Sequence, residues 1–99
     1  MDKRCLLIDD QRKIVADRVA RTFSDGIAAL RDEGPWDLLL LDHDFGDPDP
    51  AKTGYGIMRW LEENPQFLPT KIVFVTANPV GRDNMRAVLK RIETRNETR

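Results

Sequence analysis

Four consecutive leucines followed directly by acidic residues are the feature that most constrains the fold of this chain. Residues 36–47 read WDLLLLDHDFGD, and the leucines at 38–41 show no polar alternation. Such a run is typical of a strand in a parallel sheet that is buried on both faces. The strand ends in Asp42, His43 and Asp44, at the carboxyl edge where open α/β sheets bind ligands. The segment therefore predicts a central strand with carboxylates at a ligand-binding edge.

Carboxylates crowded at such an edge need a compensating group. They repel one another and lose hydration, so they stay ionised only beside a cation or a basic partner, and otherwise take up a proton. Mg²⁺ is a hard cation with a preference for oxygen ligands, and it supplies this compensation. For Asp42 alone a solvated acidic loop is an equally good interpretation, so the choice depends on the other segments.

Length and composition bound the class of protein. The 99 residues predict one compact domain over residues 1–99. With 16 Lys and Arg against 17 Asp and Glu, the charge balance does not favour nucleic acid or a membrane as partner of the whole chain. Cys5 is the only cysteine, which fits a reducing compartment. Since no apolar run resembles a signal peptide or a membrane span, we expect a soluble, cytoplasmic protein.

Three further strands are predicted from apolar runs. Residues 4–8 repeat the pattern of a buried strand followed by carboxylates, here Asp9 and Asp10. Residues 18–23 fit an edge strand, and the β-branched run 71–77 fits another buried strand. The polar stretch between the first two strands is predicted to be a loop or a single helical turn.

Three helices complete the prediction. Ser24 or Asp25 caps the first helix. The second follows the turn-rich loop 46–53 and stops at Asn64. The third follows a turn at 78–81 and carries an apolar stripe formed by Met85, Val88, Leu89 and Ile92. The order β-β-α-β-α-β-α predicts an α/β fold in which helices connect four parallel strands through right-handed crossovers.

Polar residues at three predicted strand ends converge in this fold. Asp9 and Asp10 follow the first strand, Asp42 follows the central one, and Thr76 lies at the end of the last one. Carboxylates can hold Mg²⁺, while a hydroxyl and a backbone N–H beside a helix start suit phosphoryl oxygens. An aspartate in such a site can act as the nucleophile toward phosphorus.

This arrangement resembles the receiver domains of response regulators. The resemblance implies a three-layer, flavodoxin-like sandwich reduced to a four-stranded parallel sheet of order 2-1-3-4. It also implies that Mg²⁺ or Mn²⁺ binds to Asp9, Asp10, Asp42 and the backbone C=O of Asp44. Asp42 would also be the phosphate acceptor. By the same resemblance, Thr76 and the backbone N–H of Ala77 would hold the phosphoryl oxygens.

A shortened receiver family named for predicted cyclic-phosphate processing is the more specific resemblance. Its motifs are LDHD-[LF]-G at residues 41–46, T-G-Y-x at 53–57 and A-N-P-V-G-R-x-N-M at 77–85. In that family a histidine often precedes the Ser/Thr before the last motif, and in this chain Val75 occupies that position. A receiver has a fifth strand that ends in a lysine, and neither has a counterpart in this chain. Arg82 is the predicted replacement for that lysine, since a guanidinium can bind phosphate oxygens through two hydrogen bonds.

Three alternatives stay open from the sequence. His43 is either a general acid or a packing residue. Asn78 binds either the ligand or the turn that contains it. The basic strip of Arg82, Arg86 and Lys90 is either a solvated helix face or a contact for RNA.

Three functions are compatible with these residues. The first is a Mg²⁺-dependent enzyme in which Asp42, Thr76 and Arg82 act on a phosphoester or a cyclic phosphate. Its expected partner is a phosphorylated small molecule or an RNA end. The second is a stand-alone signalling receiver that is phosphorylated on Asp42. The third is an adaptor that binds a metal or a nucleotide without turnover.

Overall fold

The computed structural model describes residues 3–97, so residues 1, 2, 98 and 99 of the predicted domain lie outside the described residues. Within that range the chain forms a four-stranded parallel sheet with three α-helices, as predicted. The strand order β2-β1-β3-β4 confirms the predicted order 2-1-3-4. The elements are β1 (Cys5–Ile8), β2 (Arg18–Ala20), α1 (Phe23–Asp32), β3 (Leu38–Leu41), α2 (Gly54–Glu63), a 3-10 turn (Pro65–Phe67), β4 (Lys71–Phe74) and α3 (Pro79–Glu97).

One face of the sheet carries the main cluster of core side chains, although Leu7 on the other face of β1 is also fully buried. Leu39 and Leu41 of β3 are fully buried and lie beside Leu6 and Ile8 of β1 in the same register. Side chains of all three helices join them in one cluster, among them Leu30, Ile57, Met58, Leu61, Met85 and Val88. Alternate residues of a strand point to opposite faces, so this cluster places the three helices on a single face. The described residues therefore form two layers, where the receiver resemblance implied three.

The opposite face of the central strand is less covered than the sequence predicts. Leu38 and Leu40 are only half-buried, so the expected burial on both faces of β3 is wrong for this side. The physical reason is that residues 11–17, between β1 and β2, form no helix.

Membrane-spanning helices are absent from the described part of the chain. No helix among residues 3–97 is long and apolar enough to cross a membrane.

Several element boundaries differ from the prediction because side chains cap the helices elsewhere. Thr22, rather than Ser24 or Asp25, caps α1, and its Oγ1 accepts a 3.1 Å hydrogen bond from Asp25 N. The Asp25 carboxylate instead accepts two hydrogen bonds from Arg18, at 2.8 and 3.0 Å. The chain at 78–81 is the start of α3, not a separate turn, since Asn78 Oδ1 accepts from Gly81 N at 3.1 Å.

The strand register positions the functional edge. Ile8, Leu41 and Phe74 are paired across three neighbouring strands. The pairing continues one residue further, since Asp42 N donates to Ile8 O and Val75 N donates to Leu41 O, both at 3.0 Å. The residues that follow β1, β3 and β4 therefore meet at one edge of the sheet.

Candidate metal centre

Three carboxylates meet at this edge. Asp9, Asp10 and Asp42 each present an oxygen, and these oxygens lie within 4.8 Å of one another. Asp9 is 1% exposed and Asp42 is 9% exposed, whereas Asp10 is half-buried. They border a cavity of about 390 Å³ whose lining is Asp9, Asp10, Gln11, Arg12, Asp42, Asp44, Thr76, Ala77 and Asn78. Carboxylate oxygens at this spacing are a donor set that suits a hard divalent cation.

Asp9 is held in its ionised form by the loop that follows β1. Its Oδ1 accepts hydrogen bonds from the backbone N–H groups of Gln11 and Arg12, both at 3.0 Å. Its Oδ2 accepts a 2.8 Å hydrogen bond from the guanidinium of Arg12. Burial alone raises the pKa of Asp9, but the two N–H groups and the guanidinium outweigh it and lower that pKa below its usual value.

Asp42 has the opposite electrostatic environment. Burial raises the pKa of Asp42, and the neighbouring Asp9 carboxylate raises it further. Hydrogen bonds from the His43 backbone and the Thr76 hydroxyl, together with the charge of Arg12, lower the pKa but do not cancel the increase. An additional cation near Asp42 would therefore favour its ionised form.

Two glycines allow the backbone to approach this edge closely. A Cβ on Gly54 would lie 2.1 Å from Asp42 O and 2.8 Å from Met85 Sδ, so only glycine lets α2 start against the end of β3. Gly46 has φ of 74°, in the left-handed region that favours glycine, and lies beside Asp10 Oδ2. These two glycines therefore determine how the loop between β3 and α2 packs against the carboxylate cluster.

Comparison with known families decides the class of domain. Residues 4–91 match the family model described as "Cyclic-phosphate processing Receiver domain". The chain belongs to this family. The match confirms the family suggested by the sequence motifs, and no curated protein matches the chain.

A solved structure of a yeast Spc42 trimeric coiled coil fused to another protein is similar to this receiver domain. The TM-score is 0.65 and the sequence identity is 19%. The similarity covers 89% of this chain but 63% of that one, so the receiver domain spans less than two thirds of that structure. At this level of identity the likeness supports the fold alone.

The residues predicted to hold phosphoryl oxygens are only partly gathered at the cavity of this receiver domain. Thr76 and Ala77 line it, and Thr76 is 2% exposed. Asn78 also lines it, but its Oδ1 caps α3 through Gly81 N and its Nδ2 donates to Asp44 Oδ2 at 3.4 Å. The side chain of Asn78 therefore stabilises the start of α3 and the rim of the cavity, which agrees with the local, non-ligand role of the two left open by the sequence.

Asp44 and His43 lie at the side of the cavity next to α3. The Asp44 carboxylate is within 3.0 Å of His43 Nδ1. The His43 ring packs on Gly81, where an added Cβ would come within 2.5 Å of the ring, and the ring does not line the cavity. The geometry therefore favours packing for His43 over the role of general acid.

Arg82 does not reach the cavity, although the sequence suggested it as the phosphate clamp. Its Nη2 donates to the backbone C=O of Thr76, and its Nε is buried without a hydrogen-bond partner. Arg86 and Lys90 are exposed on α3, and a contact with RNA stays a prediction.

The residues that sequence reasoning missed are Gln11 and Arg12, both of which line the cavity. A usable signal was present in the sequence, because an aspartate at a strand end often hydrogen-bonds the backbone two or three residues later. Such a turn after Asp9 brings the side chain at position 12 back over the strand ends.

Proposed function

We propose that this receiver domain is a phosphoester-processing enzyme that binds Mg²⁺ or Mn²⁺ at Asp9, Asp10 and Asp42. The observation that carries the proposal is the approach of these three carboxylates to within 4.8 Å at the floor of an open cavity. The family description supports a cyclic phosphate as the substrate class, and a nucleotide or an RNA end is our proposal for the molecule that carries it.

The donor set is suited to such an ion. Mg²⁺ is commonly held by one or two carboxylates together with water and substrate phosphate. Asp9, Asp10 and Asp42 supply the carboxylates, and the backbone C=O of Asp44 is the further ligand suggested by the receiver resemblance. When bound, a divalent cation offsets the negative charges of the carboxylates and of the phosphoryl oxygens.

Asp42 is the nucleophile in this proposal. Its carboxylate oxygen bonds to phosphorus as the bond between phosphorus and one ester oxygen breaks, and the released oxygen takes up a proton from solvent, which opens the cyclic phosphate. Water then attacks phosphorus and gives up a proton to solvent as the bond between phosphorus and the Asp42 oxygen breaks, which releases the opened phosphate and restores the carboxylate. Thr76 is suited to orient the reacting group, because it lines the cavity together with Asp42 and its Oγ1 is held by a 3.0 Å hydrogen bond from Asn78 N.

Turnover of a 2′,3′-cyclic nucleotide tests the proposal. The full chain is incubated with the cyclic nucleotide and Mg²⁺, and ring opening is followed by phosphorus NMR. We expect turnover in the wild type and a loss of at least about 100-fold in Asp42→Asn, because the amide cannot act as the nucleophile. The absence of turnover for every cyclic nucleotide and phosphoester offered would count against an enzyme.

Asp47→Asn is the matched control for this experiment. Asp47 lies in the adjacent loop outside the cavity lining, and asparagine keeps the oxygen that accepts from Asp49 N at 2.9 Å. We expect this variant to match the wild type. Incubation with acetyl phosphate separates the signalling alternative, in which Asp42 is phosphorylated and no substrate is turned over.

A further inference from the structure

Arg12 is a cation at the acidic cavity that the proposed chemistry does not use. Its Nη1 lies 2.8 Å from Asp9 Oδ2 and 3.8 Å from Asp42 Oδ1, while 38% of its side chain is exposed. Among residues 3–97, Arg12 is the basic residue in the cavity lining. Its guanidinium would therefore compete with a divalent cation for the carboxylates of Asp9 and Asp42.

The backbone of Arg12 is fixed from two sides. Its N–H donates to Asp9 Oδ1 at 3.0 Å. Arg21 Nη1 donates to the C=O of Arg12 at 2.8 Å and to the C=O of Asp9 at 3.1 Å. The guanidinium thus extends from an anchored position at the rim, so it stays close to the cavity when its pairing with Asp9 is broken.

We propose that Arg12 is the phosphoryl-binding arginine of this site and that it occupies the cation position between Asp9 and Asp42 in the metal-free protein. The inference rests on the proposed function. A guanidinium can form two parallel hydrogen bonds with phosphoryl oxygens. With a divalent cation bound to the carboxylates, the Arg12 guanidinium would be repelled from them and would be free to bind the incoming phosphoryl group.

The position of Arg82 supports this assignment. The Arg82 guanidinium is engaged with the backbone C=O of Thr76 and lies outside the cavity lining. Arg12, in contrast, faces the carboxylate that the proposal makes the nucleophile, from a distance of 3.8 Å between Nη1 and Oδ1 of Asp42. A phosphoryl group seated on Asp42 would lie within reach of Arg12.

Removal of Arg12 has opposite effects on the two ligands. In Arg12→Ala we expect the affinity for Mg²⁺ to rise by about tenfold, because a competing charge is gone. We expect the affinity for beryllofluoride, measured at Mg²⁺ concentrations that saturate each variant, to fall by about tenfold. Arg12→Lys keeps the charge without the planar fork, so Mg²⁺ affinity should stay within about twofold while beryllofluoride binding weakens.

The experiment uses the full chain, calorimetric titration for Mg²⁺ and fluorine NMR for beryllofluoride. Lys13→Ala is the control, because it also removes one positive charge from this loop. Lys13 is exposed and lies outside the cavity lining. Circular dichroism verifies folding of each variant. If Arg12→Ala does not fold, the Arg12→Lys result decides: weaker beryllofluoride binding supports the proposal and unchanged binding overturns it.

Two results in Arg12→Ala overturn the role of Arg12 while the proposed function stands. One is that both affinities change no more than in Lys13→Ala. The other is that both affinities fall, which would show that Arg12 only organises Asp9. A wild-type chain that binds neither probe would instead refute the proposed function, and the inference with it.

Discussion

Asp9 and Asp42 are neighbouring carboxylates whose ionisation has opposite effects on the stability of the fold. Asp9 accepts hydrogen bonds from two backbone N–H groups and pairs with Arg12, so folding favours its ionised form. Asp42 is buried beside that negative charge, so folding favours its protonated form. The difference predicts that amide substitutions at the two positions change stability in opposite directions.

Asp42→Asn is expected to stabilise the metal-free protein at pH 7. The raised pKa means that the folded state holds the Asp42 proton more tightly than the unfolded chain, so ionisation costs stability as pH rises through that pKa. The amide removes this cost, and we expect a gain of about 1 kcal/mol. The gain should shrink as pH falls through the raised pKa of the folded state and should vanish below about pH 4, where the unfolded carboxyl is also protonated. Urea denaturation with a chelator at both pH values measures it, and equal or lower stability at pH 7 would contradict the account.

Asp9→Asn is expected to destabilise the protein at pH 7. The lowered pKa of Asp9 means that its contribution is present above the ordinary aspartate pKa and is lost as pH falls through the pKa of the folded state. An amide keeps one acceptor oxygen and cannot pair with Arg12, so we expect a loss of about 2 kcal/mol at pH 7. The same denaturation series measures this loss, and a variant as stable as the wild type would show that the turn after β1 does not depend on the carboxylate.

At the scale of elements, α3 is positioned by its contacts with α2 and with the end of β3. The Glu62 carboxylate of α2 is 7% exposed and accepts hydrogen bonds from Arg91 of α3 at 2.9 and 3.1 Å. At the other end of α3, Gly81 packs against the His43 ring. The first contact joins the helices, and the second sets how closely α3 approaches the candidate site.

Gly81→Ala tests the contact between α3 and β3. The new Cβ would lie 2.5 Å from the His43 ring, so the helix or the ring must move, and we expect a loss of about 1–3 kcal/mol. His43→Ala in the same chain removes the clash, so the double variant should lose less stability than the sum of the two single variants. Additive losses in a denaturation cycle would contradict packing as the role of His43.

Local patterns explain why the main elements could be predicted from the sequence. The leucine run and the β-branched run give the strands, and the carboxylates that follow β1 and β3 are adjacent because parallel strands end at a common edge. The cap of α1 was missed because Thr22, Ser24 and Asp25 are all good caps, and the pairing of Asp25 with Arg18 is a tertiary contact. The place of Arg12 likewise depends on how the loop after Asp9 folds back.

At the scale of the whole molecule, the domain combines a small core, concentrated on one face of the sheet, with a polar edge on which like charges repel one another. The cluster on one face of the sheet contains residues from all three helices, while Leu38 and Leu40 on the other face are half-buried. Because these carboxylates follow β1 and β3, a cation bound by all of them would link the ends of these two strands. Binding of a metal is therefore expected to stabilise the domain as a unit.

A Mg²⁺ titration of the full chain, followed by NMR and by thermal unfolding at constant ionic strength, tests the central claim most directly. We expect the largest amide shifts at Asp10, Asp42 and Thr76, and a gain in stability of about 2.7 kcal/mol at 100 times Kd. Asp10→Asn should lose most of this response, whereas Asp47→Asn should keep it. If Mg²⁺ leaves both the amide resonances around Asp10 and Asp42 and the melting temperature unchanged, the three carboxylates do not form a metal centre.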